Sequence, residues 1–192
     1  MTDLADQNAR APLGGSADPD KIATSPAPHA AGTAPMREMT ADLVVIGAGS
    51  AGLSAAAGAA QLGLSVVLYE KGEMGGDCLN TGCVPSKALL SAAKAAAEIR
   101  DAGKFGIETT PPRIHWDKVK QHVNASIATI APVDSQERFE GLGCTVIREH
   151  AKFAGPDTII SPTTRVKARR IIIATGSRAF IPPIEGLATV PY

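Results

Sequence analysis

Net charge, aromatics, cysteine and long apolar runs are all low or lacking in this chain. Its 192 residues carry 19 basic and 19 acidic side chains, a formal net charge of +0. A neutral chain has no electrostatic drive toward nucleic acid or an anionic membrane, so neither is expected as a partner. Aromatics make up 4%, too few for the stacking platforms that hold single-stranded nucleic acid. No run is long and apolar enough to span a bilayer. Met1-Thr2-Asp3-Leu4-Ala5-Asp6 lacks a basic start before an apolar core, so it does not read as a secretory leader, and the cytoplasm is the simplest address. The 3 cysteines are too few for a secreted disulfide scaffold. Zinc needs further ligands at short spacing, and no histidine lies near Cys78 and Cys83 in sequence, so no metal site is expected.

Residues 1 to about 40 read as a disordered head, rich in Ala, Pro, Ser, Thr and Asp, without an apolar period. Its His29 reads as solvated. Order is expected from Ala41, where Leu43-Val44-Val45-Ile46 forms a short apolar run ending in Gly47, the mark of a buried parallel strand. Ser50 to Leu62 is alanine-rich and helical, with Gly63 as its stop, and Ser65 to Tyr69 is a second strand. Together they make a βαβ unit. Helices are expected from Pro85 to about Arg100, stopped by Gly103, and from Ile114 to about Phe139, where Val119, Val123, Ile127 and Ile130 share one face. His115 and His122 read as surface or cap residues and Trp116 as a packing anchor. Beyond Cys144, itself read as a buried strand residue, short strands broken by Gly155-Pro156-Asp157 and Pro162 form an antiparallel excursion. It returns through Arg170-Ile171-Ile172-Ile173-Ala174.

Gly47-Ala48-Gly49-Ser50-Ala51-Gly52 is a GxGxxG run between the first strand and its helix, the context in which that pattern is informative. Gly47 permits the tight turn, Gly49 lets the backbone approach a pyrophosphate, and Gly52 lets helix and strand pack closely. Ser50 and Ala51 open the helix whose N-terminus supplies the anion site. Glu70 closes the second strand, 18 positions after Gly52. A carboxylate there accepts hydrogen bonds from ribose hydroxyls and disfavours a 2′-phosphate, so FAD or NAD is expected.

The run Gly75-Gly76-Asp77-Cys78-Leu79-Asn80-Thr81-Gly82-Cys83-Val84-Pro85-Ser86-Lys87 carries two cysteines near enough to form a disulfide. Pro85 suits a helix start. Cys83 then lies at or beside a helix N-terminus, which favours a thiolate. A ready thiolate beside a second sulfur is the apparatus of dithiol–disulfide cycling. A disulfide beside a flavin has an obvious use, since flavin takes a hydride and passes an electron pair to sulfur. Beside NAD alone it has no common use, and FAD is therefore the expected cofactor.

With the fingerprint Gly47 to Gly52 and Glu70, the loop Gly75 to Lys87, and Ile173-Ala174-Thr175-Gly176-Ser177 in order, residues 41–192 resemble the N-terminal portion of the pyridine nucleotide–disulfide oxidoreductases. That family includes dihydrolipoamide dehydrogenase, mercuric reductase and glutathione reductase. The resemblance implies a Rossmann-like α/β FAD-binding domain over 41–192, with a parallel sheet, flanking helices and a small antiparallel β-meander. It implies that Cys83 is the sulfur nearest the flavin and its charge-transfer thiolate, that Cys78 is the interchange thiol, and that Lys87 lies close to the flavin ring. Gly76 and Asp77 would approach the flavin phosphates or ribityl chain, Ala151 the adenine, and Thr175 and Gly176 the cofactor's flank. Asp77 stands where the family commonly has Thr, and a carboxylate near a pyrophosphate must turn away or meet a cation. Ser86-Lys87 resembles the lipoamide and mercuric branches more than the glutathione branch.

The same resemblance implies NAD(P)H as electron source in the full-length enzyme, a small-molecule disulfide or a metal ion as substrate, and a homodimer. The nicotinamide and interface domains that serve these roles are not in this sequence, so the chain reads as a fragment inactive alone. Two other readings stay open: a non-catalytic FAD- or ADP-binding module, and an NAD-dependent dehydrogenase.

Overall fold

The computed structural model describes residues 36–178 and 180–190. The head, with His29 and the leader stretch, lies outside the described residues as far as residue 35. One six-stranded sheet runs in the order β3-β2-β1-β6-β5-β4. Its parallel part comprises β1 (Arg37–Ile46), β2 (Val66–Tyr69), β3 (Thr145–Ile147) and β6 (Thr164–Ile173). The short strands β4 (Lys152–Phe153) and β5 (Thr158–Ile160) extend it antiparallel beyond β6. The α/β class, the parallel sheet and the antiparallel excursion agree with the sequence reading.

The apolar runs of β1 and β2 feed both faces of the sheet, as a strand buried on both sides must. Val45, Val66 and Leu68 join one cluster with Leu53 and Ala56 of α1 (Ser50–Gln61) and Phe139. Val44, Val67 and Tyr69 join the opposite cluster with Ile159, Val166 and Ala168. Each valine, leucine, isoleucine or phenylalanine so buried contributes about 1.5–3 kcal/mol. A hydroxyl chain ties down the second cluster. Tyr69 Oη meets Thr164 Oγ1 at 2.7 Å, and Thr164 Oγ1 meets Ser161 Oγ at 2.6 Å. Glu149 accepts from Ser161 Oγ, and also from Thr163 Oγ1 at 2.7 Å and Thr163 N at 3.2 Å.

Order starts earlier than Ala41. Arg37 to Thr40 already pair with Thr164 to Lys167, and Glu38 meets Arg165 at 3.3 Å. These residues are mostly exposed, so they show no apolar period and their strand is invisible to hydropathy. Helix α3 (Cys83–Asp101) begins at Cys83 itself, with Pro85 inside its first turn. It runs past Gly103 through a 3-10 turn, Ala102–Phe105, and stops at Gly106, whose φ of +75° ends it. The long helix expected to Phe139 is broken. Helix α4 (Trp116–Ile130) ends in a 3-10 turn containing Pro132, and Ser135 caps α5 (Gln136–Gly141) by accepting from Arg138 N. The α4 face of Val119, Val123 and Ile127 packs toward α3 and is only half-buried. Trp116 is 55% exposed, so it rims the α3–α4 groove rather than anchoring a core. His115 and His122 lie on the surface, and Cys144 is buried with Sγ 3.8 Å from Ala56 O.

Candidate nucleotide and dithiol site

The loops at the carboxyl ends of β1, β2 and β6 converge through backbone hydrogen bonds. Gly47 N donates to Tyr69 O at 2.8 Å, Ala174 N to Ile46 O at 2.8 Å, and Gly75 N to Ala48 O at 2.9 Å. Open parallel sheets bind ligands outside this edge. Gly47 has φ of +106°, and a Cβ there would meet Ala174 O at 2.3 Å, while a Cβ on Gly52 would meet Gly47 O at 1.8 Å. Those two glycines are demanded by the turn itself.

Gly49 is different. Its φ is −85°, open to any residue, and an added Cβ would find no protein atom nearer than Gly76 Cα at 3.9 Å. The missing side chain leaves space in a groove of about 520 Å³ lined by Gly47, Gly49, Ser50, Glu70, Gly76 and Asp77, with Cys78, Thr175 and Gly176 along the same wall. Helix α1 opens onto it with no side-chain cap and no acid in its first turn. The first N–H groups of a helix have no partner within it, and Gly49 and Ser50 bring this end of α1 to the groove wall, an arrangement suited to an anion.

Glu70 braces this edge from below. Its Oε2 accepts from Ala48 N and its Oε1 from Gly72 N, both at 2.6 Å. It also joins the groove to a smaller cavity of about 90 Å³ lined by Gly47, Tyr69, Lys71, Glu149, His150, Ala151 and Thr175. Ala151 therefore lies in the wall of the second chamber.

Cys78 lies in the short helix α2 (Gly76–Asn80) and Cys83 is the first residue of α3. Both are free thiols, Cys78 half-buried and Cys83 exposed. The hydrogen bond donated by Cys83, then one from Ser50, holds the Cys78 thiol below its ordinary range against a small burial cost, and Lys87 helps by charge. Cys83 is pushed up, first because it donates to Cys78, then by burial and by the Cys78 charge, with Lys87 pulling the other way. Both shifts favour the first negative charge on Cys78 while the two thiols are paired. A helix N-terminus had suggested Cys83, but two adjacent sulfurs do not both ionise easily, and the donor's pKa rises.

Asp77 has turned its carboxylate toward the thiol loop, where Thr81 Oγ1 donates to Oδ1. Of the residues expected at the site, Cys83, Lys87, Ala51 and Gly52 do not line the groove. Gly52 acts through packing, and Lys87 acts on the thiols through charge. Sequence reasoning gave no role to Glu73, Asn80 and Thr81 in the groove, or to Tyr69, Lys71, Glu149 and His150 in the smaller chamber. Thr81 and Asn80 were signalled by standing between the cysteines; Glu149 and Tyr69 carried no local signal. Among the described residues, no cluster of three or more His, Cys, Asp or Glu side chains is placed to hold a metal ion.

A dinucleotide-binding α/β domain with one thiol, Cys78, in the wall of its groove and a second, Cys83, beside it is the class these features define. Residues 41–191 match the family model described as pyridine nucleotide-disulphide oxidoreductase. The chain is 36% identical to a glutathione reductase of Burkholderia cepacia over 151 residues, covering 79% of this chain and 33% of that protein. It is 40% identical to a dihydrolipoyl dehydrogenase of Haemophilus influenzae over 149 residues, 74% of this chain and 31% of that one. To a mercuric reductase of Streptomyces lividans it is 36% identical over 157 residues, 79% of this chain and 33% of that one. Among solved structures it resembles the Cu(II) complex of the HOCl-induced flavoprotein disulfide reductase RclA from Escherichia coli, with a TM-score of 0.59 and 26% identity. That match covers 78% of this chain and 31% of the other. The chain belongs to the pyridine nucleotide-disulphide oxidoreductase family and spans about a third of the length of the curated relatives it matches. The family implies FAD as the cofactor, with NAD(P)H as electron source in the longer enzymes. The space beside Gly49 and the uncapped end of α1 suit the pyrophosphate of such a group.

Proposed function

We propose that this chain is the FAD-binding, dithiol-bearing part of a flavoprotein that reduces a small-molecule disulfide or a metal ion. The observation that carries this is the placing of Cys78 in the same groove wall as Gly49 and Gly176. Gly47, Gly49, Ser50 and Ala51 would cradle the pyrophosphate, Glu70 the adenosine ribose and Ala151 the adenine. Gly76, Asp77, Thr175 and Gly176 would flank the remainder. FAD, when bound, would exchange a hydride with a nicotinamide and an electron pair with sulfur.

The chain's own part is to hold the two sulfurs and their protons. Cys78, ionised first, is the sulfur suited to attack a substrate; Cys83 supplies the second sulfur, and Lys87 favours charge on both. In the whole protein, the mercuric and dihydrolipoyl branches are the substrate classes its loop ending favours, and a homodimer is the assembly.

Anaerobic dithionite titration of the FAD-loaded chain tests the reading. Uptake of four electrons per flavin, two of them lost in Cys78→Ser, is expected. Uptake of two electrons by the unaltered chain would leave only a nucleotide-binding module.

A further inference from the structure

Asp77 binds the thiol loop three times over. Its carbonyl oxygen accepts from Thr81 N at 2.9 Å and from Gly82 N at 2.6 Å, and its carboxylate accepts from Thr81 Oγ1. A Cβ on Gly82 would stand 2.9 Å from Asp77 Oδ2 and 3.1 Å from Asp77 O, so a side chain at Gly82 would push the Asp77 carboxylate aside. The span from Asp77 to Gly82 has the same length in sequence as the span from Cys78 to Cys83, displaced by one residue. The Asp77–Gly82 bond therefore closes the same loop that a Cys78–Cys83 disulfide closes. It does so while both thiols are free, and Gly82 O then accepts from Ser86 N at 3.1 Å to start α3.

We propose that Asp77, through Thr81 and Gly82, is a positioning residue that sets the reach of Cys83 toward Cys78. The inference rests on the dithiol reading above and names what holds the pair in register. A loop already closed in the dithiol form has less chain entropy left to lose on oxidation. Losing a bond that holds this register is expected to weaken the disulfide without touching either sulfur. Lining the groove is then secondary for the Asp77 carboxylate, since its strongest engagement is with the loop behind Cys78.

The test is the equilibrium of the full chain with glutathione. The Cys78 thiolate attacks one sulfur of oxidised glutathione and expels a glutathione thiolate. The Cys83 thiolate then attacks the Cys78 sulfur of the mixed disulfide and expels the second. Two electrons pass from the pair to glutathione, and the two cysteine protons end on the released thiolates. The Cys78–Cys83 disulfide is quantified by acid quenching, alkylation and mass spectrometry across glutathione ratios.

Thr81→Val keeps the shape and removes the donor. It is expected to lower the equilibrium constant for disulfide formation about fivefold, the weight of one hydrogen bond. Thr81→Ser and Asp77→Asn keep a donor and an acceptor, and should stay within about twofold on the same reasoning. Asp77→Ala should cost about as much as Thr81→Val, and Asp77→Ala/Thr81→Val no more than either alone, because the two groups act as one. An unchanged constant in Thr81→Val, or additive losses in the double variant, would overturn the proposal. Failure of the unaltered chain to form the Cys78–Cys83 disulfide at all would instead sink the dithiol reading, and this inference with it.

Discussion

Gly49 and Gly76 face each other across the start of the groove, and the bare Cα of Gly76 makes room for Gly49. A Cβ on Gly76 would stand 2.8 Å from Gly49 Cα, whereas a Cβ on Gly49 would stand 3.9 Å from Gly76 Cα. The nucleotide fingerprint and the cysteine loop thus touch backbone to backbone, and this contact sets Cys78 beside the fingerprint.

The asymmetry of that contact separates folding from binding. Gly49→Ala meets no obstacle in the protein and sits at an ordinary φ, so its melting temperature should match the unaltered chain. Its Cβ projects into the groove and should weaken FAD binding at least tenfold, read by quenching of flavin fluorescence. Gly76→Ala carries φ of +57° and a backbone clash, and should be destabilised by about 1–3 kcal/mol in urea. Equal effects of the two substitutions on stability would contradict the geometry.

Glu70 does structural work before any ribose arrives. Its two oxygens each hold one backbone N–H at 2.6 Å, at Ala48 and Gly72. Glu70→Ala leaves both donors without their partner and should cost about 1–3 kcal/mol per donor that stays dry. Glu70→Gln has one acceptor oxygen and satisfies one of them. Urea denaturation without FAD should therefore rank the chains Glu, Gln, Ala in falling stability. A role confined to ribose binding would leave the three equally stable.

The parts legible in the sequence are those in which local chemistry and tertiary context agree. Val44-Val45-Ile46, the spacing of Gly47, Gly49 and Gly52, and the acid at Glu70 announced the βαβ unit because a nucleotide fold leaves the same residues no alternative. The parts that were not legible depend on pairing across the chain. Arg37 to Thr40 form a strand only because Thr164 to Lys167 lie beside them. Glu149 reaches Ser161 and Thr163 from a separate strand connection. A helix end acts on Cys83 alone, while the hydrogen bond between the two sulfurs favours charge on Cys78, and only folding brings the second sulfur into play.

That charge order predicts the chemistry of alkylation. Cys78 should react with iodoacetamide first and along a profile whose midpoint lies below that of an ordinary thiol. Cys83 should follow only at higher pH. Lys87 favours both thiolates by charge, so Lys87→Met should move the Cys78 midpoint upward without altering the order. Peptide mapping after short exposures across a pH series reads both quantities. Labelling of Cys83 ahead of Cys78 would reverse the assignment of the attacking sulfur.

Glu149 gives the fold a pH dependence of definite sign. Burial pushes its carboxyl up, but the hydrogen bonds from Ser161 and Thr163 outweigh burial and leave it below the usual 4.5. In the unfolded chain the group titrates at its ordinary value, so near and below that value the unfolded state binds more protons than the folded one. Stability from this group is then complete above about pH 4.5 and is lost as pH falls through the lower, folded value. Glu149→Gln removes the titration and keeps only one acceptor for donors on both Ser161 and Thr163, at a cost of about 1 kcal/mol at neutral pH. The gap between the two chains in urea should stay constant from pH 7 to about 5 and narrow below 4.5, as protonation takes the same bonds from the unaltered chain. A gap that widens on acidification would mean that Glu149 is held as the acid, with the hydroxyls of Ser161 and Thr163 turned to accept from it.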